Sequence, residues 1–215
     1  MSERVFNRLE EFDERSRNFK LTTMYRAPRS YTWSCGKVLD QGSEGSCVGH
    51  GWAHDLIARP VVVPNIDHFS AVEIYKRARN LDQWPGDNYD GTSVIAGAKA
   101  VLELGLIERY EWTFSLNEAL VGISYRGPAV IGIPWYESMN SPDADGKIRV
   151  RGRLQGGHCI LANGYNVKTQ LVRLHNSWGP GWGKNGECFI HADDFWRLLD
   201  EGGECCLPIG RKQRV

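Results

Sequence analysis

A thiol, an imidazole and a side-chain amide occur in that chain order: Cys47, His158 and Asn176. These residue types make a cysteine nucleophile with its acid/base and an orienter for the base. Gln41 stands six residues ahead of the thiol, in the stretch Gln41-Gly42-Ser43-Glu44-Gly45-Ser46-Cys47. Its NH₂ group is a candidate donor to an oxyanion, with the Cys47 backbone N–H as the other. The chemistry would be attack of a thiolate on a carbonyl carbon. His158 would protonate the leaving amine and later activate water. Trp178 follows Asn176 by two residues and is placed to keep water from the imidazole–amide bond.

The elements must position these groups. Ser46 is a candidate N-cap for a helix from Cys47 to about Ile57, which would put the thiol at the positive end of a helix dipole. Weak helical periodicity runs over residues 5–19. Ser70-Ala71-Val72-Glu73 has the form of a capping box, with Ala71, Ile74, Tyr75 and Ala78 following at helical spacing. A further helix is expected over Ser93–Leu104, and a short one over Asp193–Leu199. Tyr31–Leu39 reads as extended. Strands are expected at Ala129–Ile133, His158–Ala162, Gln170–Leu174 and Glu187–His191, and a long loop or hairpin at Ser141–Arg153. The first half of the chain thus reads as mainly helical and the second as mainly β.

Three stretches resemble the papain–cathepsin superfamily of cysteine peptidases. They are Gln41 to Cys47, then Gly157-His158-Cys159-Ile160-Leu161-Ala162-Asn163-Gly164-Tyr165, then Asn176-Ser177-Trp178-Gly179-Pro180-Gly181-Trp182-Gly183-Lys184-Asn185-Gly186. Gly127-Pro128-Ala129-Val130 is similar to the segment opening the family's β lobe. The resemblance covers roughly residues 28 to 210. It implies an α+β papain-like fold of two lobes, one helical and one antiparallel and β-barrel-like, with the cleft between them. The divisions expected are 1–26 as an N-terminal helical extension, 27–110 as the lobe with the nucleophile, and 111–215 as the lobe with His158 and Asn176. It also implies peptide-bond hydrolysis through a Cys–His thiolate/imidazolium pair and an acyl-thioester. Substrate backbone would pair beside Gly91, and Gly132, Ile133 and Gly157 would lie near the specificity pocket, with Trp178 over the site.

The chain departs from the family in four places. Glu44 stands where secreted relatives place a disulfide cysteine, and Val48 where an aromatic usually follows the nucleophile. Gly157 replaces the usual Asp or Asn before the histidine. Only 46 residues precede Cys47, too few for a full inhibitory prosegment. Two alternatives share these residues: a hydrolase of isopeptide or peptidoglycan bonds, and a scaffold that binds a partner peptide without turnover.

Bulk properties narrow the remaining classes. The 215 residues carry 26 basic and 26 acidic side chains, a formal net charge of zero, which gives no field for nucleic acid or an anionic membrane. No apolar run approaches the roughly 18–20 residues of a spanning helix. Met1-Ser2-Glu3-Arg4 does not read as a signal peptide. The six cysteines contain no CxxC pair and are expected reduced, in a cytoplasmic setting. His50 and His54 have i, i+4 spacing without an intervening glutamate, so neither a metal nor another cofactor is expected. The expected partner is a peptide or protein substrate.

Overall fold

A computed structural model describes residues 5–22, 26–86 and 88–212. The reading of Met1–Arg4 lies outside them. Three helices precede most of the sheet: α1 (Cys47–Ile57), α2 (His68–Arg79) and α3 (Val94–Glu103). Helix α1 has the bounds expected from its N-cap position, although the Ser46 side chain makes no capping bond. Helix α2 begins earlier than expected. Asp67 is its N-cap and accepts from the Ser70 amide, while Ser70 Oγ accepts from the Asp67 amide. The capping box is real, but Ser70 is its third helical residue.

The three helices pack through a core containing Val48, Trp52, Leu56, Ile74, Val94 and Val101. Gly49 lets α1 and α2 touch. A Cβ there would lie 2.1 Å from the Ala71 carbonyl oxygen and 2.9 Å from the Tyr75 amide nitrogen. Gly49→Ala must therefore push the helices apart and is expected to lower stability by about 1–3 kcal/mol. Urea unfolding checks this, and an unchanged midpoint would remove Gly49 from the packing account.

The sheet has the order β2-β7-β3-β4-β5-β6, all its pairs antiparallel. Its strands are β2 (Arg109–Trp112), β3 (Ala129–Tyr136), β4 (Leu154–Asn166), β5 (Leu171–His175), β6 (Glu187–His191) and β7 (Glu204–Ile209). The short β1 (Tyr31–Thr32) pairs with β4 off this path. The sheet is open at β2 and β6, so "barrel-like" describes it only loosely. A second core lies against it and includes Ile131, Ile133, Trp135, Ile160, Val172, Phe195 and Leu207. Helix α5 (Ala192–Asp200) agrees with expectation.

Three elements differ from the sequence reading. Helix α4 (Leu116–Tyr125) was not expected. Its signal is local: Ser115 Oγ accepts from the Glu118 amide, and the Glu118 carboxylate accepts from the Phe114 amide. The pairing of β2 with β7 was also not expected, because it joins segments far apart in sequence. The helix expected over 5–19 is only a 3₁₀ turn, Glu14–Phe19, capped by Asp13. Residues 5–12 before it are not helical. They are drawn out by pairing elsewhere, and where they go decides the state of the site.

Candidate active site

Cys47 heads α1 and is fully buried. The backbone amides of Cys159, Asn7 and Val48 favour its thiolate form. Strand β4 packs against α1, with Cys159 in the same buried cluster as Cys47 and His158 as the preceding residue. Alternation along β4 sends Cys159 into the helical core and His158 to the other face.

Asn176 follows β5, whose register beside β4 sets Leu161 opposite His175. His158 Nε2 lies 2.8 Å from Asn176 Oδ1. The same oxygen accepts the Ser177 amide at 2.8 Å, which fixes the amide's orientation because a backbone N–H can only donate. Nε2 therefore carries hydrogen and donates, leaving Nδ1 as the basic nitrogen of the neutral ring.

Gln41 is oriented by the same reasoning. Its Oε1 accepts from Ser177 Oγ at 2.8 Å and its Nε2 donates to the Glu44 carbonyl at 2.9 Å. One N–H of its NH₂ group remains beyond that bond. Strand-like bonds tie the loop to the other lobe, with Gln41 N donating to Ser177 O at 2.9 Å.

Trp178 is 2% exposed and leans over the His158 ring, centroids 5.0 Å apart at 34°. Trp135 meets the same ring edge-on at 4.8 Å. These faces exclude water from the imidazole. His50 and His54 do other work. His50 Nδ1 lies against Ser46, its Nε2 is 3.1 Å from His68 Nδ1, and His54 Nε2 accepts the Leu39 amide.

The cleft is filled by the chain's own N-terminal segment. Arg8 N donates to Gly157 O at 2.8 Å, Leu9 N to Thr92 O at 3.0 Å, and Thr92 N to Asn7 O at 3.2 Å. Both bridges are parallel. Phe6 caps the aromatic group, 6.1 Å from His158 and 5.7 Å from Trp178. Gly91 has φ +95, and a Cβ there would fall 1.8 Å from the Asn7 carbonyl oxygen, so this wall can be approached only where there is no side chain. Beneath this strap, burial pushes the Cys47 thiol above its usual range, outweighing its amide donors and the Arg8 charge. That differs from the low thiol pKa expected from the helix terminus, because the expectation assumed an open cleft.

Of the expected substrate contacts, Gly91 and Gly157 lie against the strap's backbone and Gly132 against its Arg8 side chain. Ile133 is the exception: its side chain is turned into the second core, on the opposite face of β3 from Gly132. Thr92 lies in the Asp90-Gly91-Thr92 segment expected to pair with substrate backbone, whereas Phe6, Arg8 and Glu204 also belong to the cleft and were not identified from sequence. Those three carry no local signal.

A two-lobe α+β body with a cysteine at a helix start, facing a strand that carries histidine, defines the papain-like fold. No family model matches the sequence. The chain is 24% identical to a protein of Acanthamoeba polyphaga mimivirus described as an uncharacterised peptidase C1-like protein, over 75% of this chain and 69% of that one. It superposes on xylellain, a cysteine protease from Xylella fastidiosa, with TM-score 0.78 and 17% identity, covering 98% of each chain. Bromelain from Ananas comosus superposes with TM-score 0.61 and 13% identity over 86% of this chain and all of that one. The chain has the papain-like fold and resembles the papain-like cysteine peptidases.

Proposed function

We propose that the chain is a cysteine-type peptidase that hydrolyses peptide bonds through Cys47. The observation that carries this reading is the His158 Nε2–Asn176 Oδ1 bond, whose polarity leaves Nδ1 as the base on the lobe that meets the thiol. Cys47 transfers its proton to His158, and the thiolate attacks the substrate carbonyl carbon. The Cys47 N–H and the Gln41 Nε2 stabilise the resulting oxyanion. His158 then gives its proton to the amine as the C–N bond breaks, leaving an acyl-thioester. Water, deprotonated by His158, attacks that thioester and frees the acid and the thiol. Asn176 holds the ring's plane throughout, and Trp178 and Trp135 keep its hydrogen bond dry.

Substrate can enter only when residues 6–9 leave the cleft. Their departure removes much of the burial that raises the thiol, while the helix terminus and the amides of Cys159 and Val48 continue to favour thiolate. The other cysteines are poor competitors: burial pushes Cys35 and Cys205 up to about 12, and Cys159 and Cys206 well above their usual range. An epoxide thiol probe should therefore label Cys47 in the full chain, and faster when Arg8→Ala loosens the strap. Peptide mapping by mass spectrometry reads the site. Labelling confined to any other cysteine would overturn the assignment.

A further inference from the structure

The first turn of α1 carries a buried histidine that takes no part in the proton transfers. His50 stands one turn after Cys47 and is fully buried. Its Nδ1 lies 3.0 Å from the Ser46 carbonyl oxygen and 3.2 Å from Ser46 Oγ. A carbonyl oxygen can only accept, so Nδ1 carries the hydrogen and donates to it. The same oxygen accepts the His50 amide at 3.1 Å, and both its lone pairs are engaged.

With hydrogen on Nδ1, the Nε2 of the neutral ring is bare and requires a donor. His68 Nδ1 stands 3.1 Å from it, the two rings inclined at 47°. His68 is the exposed first residue of α2. Donating through its own Nδ1, it holds His50 in the Nδ1–H form. Burial pushes the His50 ring below its usual range, and His68 adds to this while the Ser46 carbonyl, Glu44 and Asp40 oppose it. The neutral ring is thereby favoured.

The carbonyl that His50 grips belongs to the Ser46–Cys47 peptide. Ser46 is the N-cap of α1, yet its side chain makes no capping bond, and its φ −98 and ψ 22 depart from the extended conformation usual there. Its ψ sets the plane of that peptide, and a capping bond does not secure it. The peptide is planar, so a grip on its oxygen fixes the direction of the N–H on its other side. Bonds accepted at the carbonyl also polarise the unit and strengthen that N–H as a donor. We propose that His50 is a positioning residue of the oxyanion site: it aims the Cys47 N–H through the Ser46 carbonyl, and His68 fixes the tautomer that this requires. This rests on the peptidase reading above. A donor lowers the barrier only where it meets the oxygen as charge develops, so its misalignment shows in kcat and leaves KM.

The tautomer is read without catalysis. Long-range ¹H–¹⁵N NMR of the full chain, labelled at histidine, should show His50 protonated at Nδ1 and bare at Nε2. A ring protonated at Nε2 overturns the proposal. Kinetics use the chain carrying Arg8→Ala, which loosens the strap. There His50→Phe, which keeps a ring and removes the donor, should lower kcat by roughly 10- to 100-fold with KM nearly unchanged, less than the loss of a donor removed outright. His50→Asn sets an N–H where Nδ1 was and should recover most of the loss. Epoxide labelling of Cys47 should run at one rate in all three, because it forms no oxyanion on a carbonyl carbon. A fall in labelling that matches the fall in kcat places the damage at the thiol and overturns the proposal. If circular dichroism shows His50→Phe unfolded, His68→Phe at the surface is the second variant, with an expected loss in kcat of about 2- to 10-fold, the range of one hydrogen bond, recovered by His68→Asn. An unchanged kcat in the folded phenylalanine variant, or a loss that asparagine does not recover, overturns the proposal. No turnover by the parent chain, with His50 protonated at Nδ1, overturns the peptidase reading and leaves the grip on the peptide.

Discussion

Cys47→Ala, placed in the strap-loosened chain, should lower peptide hydrolysis by on the order of 10⁴-fold or more, as loss of the nucleophile does in a comparable acyl-transfer enzyme. The size follows from the absence of a substitute. Cys159, whose amide favours the Cys47 thiolate, packs in the helical core, fully buried, with its thiol held well above its usual range. It cannot supply a thiolate to the cleft. His158→Ala should be nearly as damaging, because it removes the proton carrier of both half-reactions. The double variant should be little worse than either, since the two groups act as a unit. Initial rates on a fluorogenic peptide check all three. Retention by Cys47→Ala of more than about a tenth of the rate, far above the loss for an acting nucleophile, would end the proposal that this thiol attacks substrate.

The second large effect is on stability. Asp55 in α1 is fully buried, and Arg211 Nη2 lies 2.9 Å from its Oδ1 with only 4% of the arginine side chain exposed. Arg211 also donates to the Ala58 carbonyl at 2.8 Å, tying the C-terminal segment to the end of α1. Arg211→Ala leaves a buried carboxylate without its cation, which costs about 3–5 kcal/mol. Burial already pushes the Asp55 carboxyl up to about 7, despite the opposing pull of Arg211. The folded state therefore binds more protons than the unfolded chain between its ordinary value and about 7. Stability falls as pH rises through that window. Removing the arginine should make the loss greater at pH 8 than at pH 5, where the carboxyl can take up a proton. Urea unfolding at the two pH values reads both effects. A loss equal at both, or below about 1 kcal/mol where a broken buried pair costs several times that, would show that Asp55 is neutral in the native protein.

The strap changes the meaning of the N-terminal residues. Their apolar spacing suggests a helix, but Phe6 to Leu9 lie extended because the cleft offers open backbone edges at Thr92 and Gly157. The edges satisfy amide groups that a weakly periodic segment could satisfy only at the cost of nucleating a helix. Tertiary pairing overrides propensity here. A four-residue stretch with one buried arginine covers the thiol.

What the sequence by itself determined was the set of candidate groups and several of the elements that hold them. Cys47, His158, Asn176 and Gln41 lie in short stretches with local signatures, and α1 has the bounds its preceding serine suggests. Strands β5 and β6 could likewise be read from composition, because period and capping are properties of neighbouring residues. The tertiary structure alone decided what the cleft contains. Arg8 meets Glu204 from the opposite end of the chain, β2 pairs with β7 across α4 and the central strands, and Ile133 turns away from the pocket that Gly132 opens. Each depends on which distant segments are brought together by burial of the two cores and by the register of the sheet. No window of neighbouring residues carries that information.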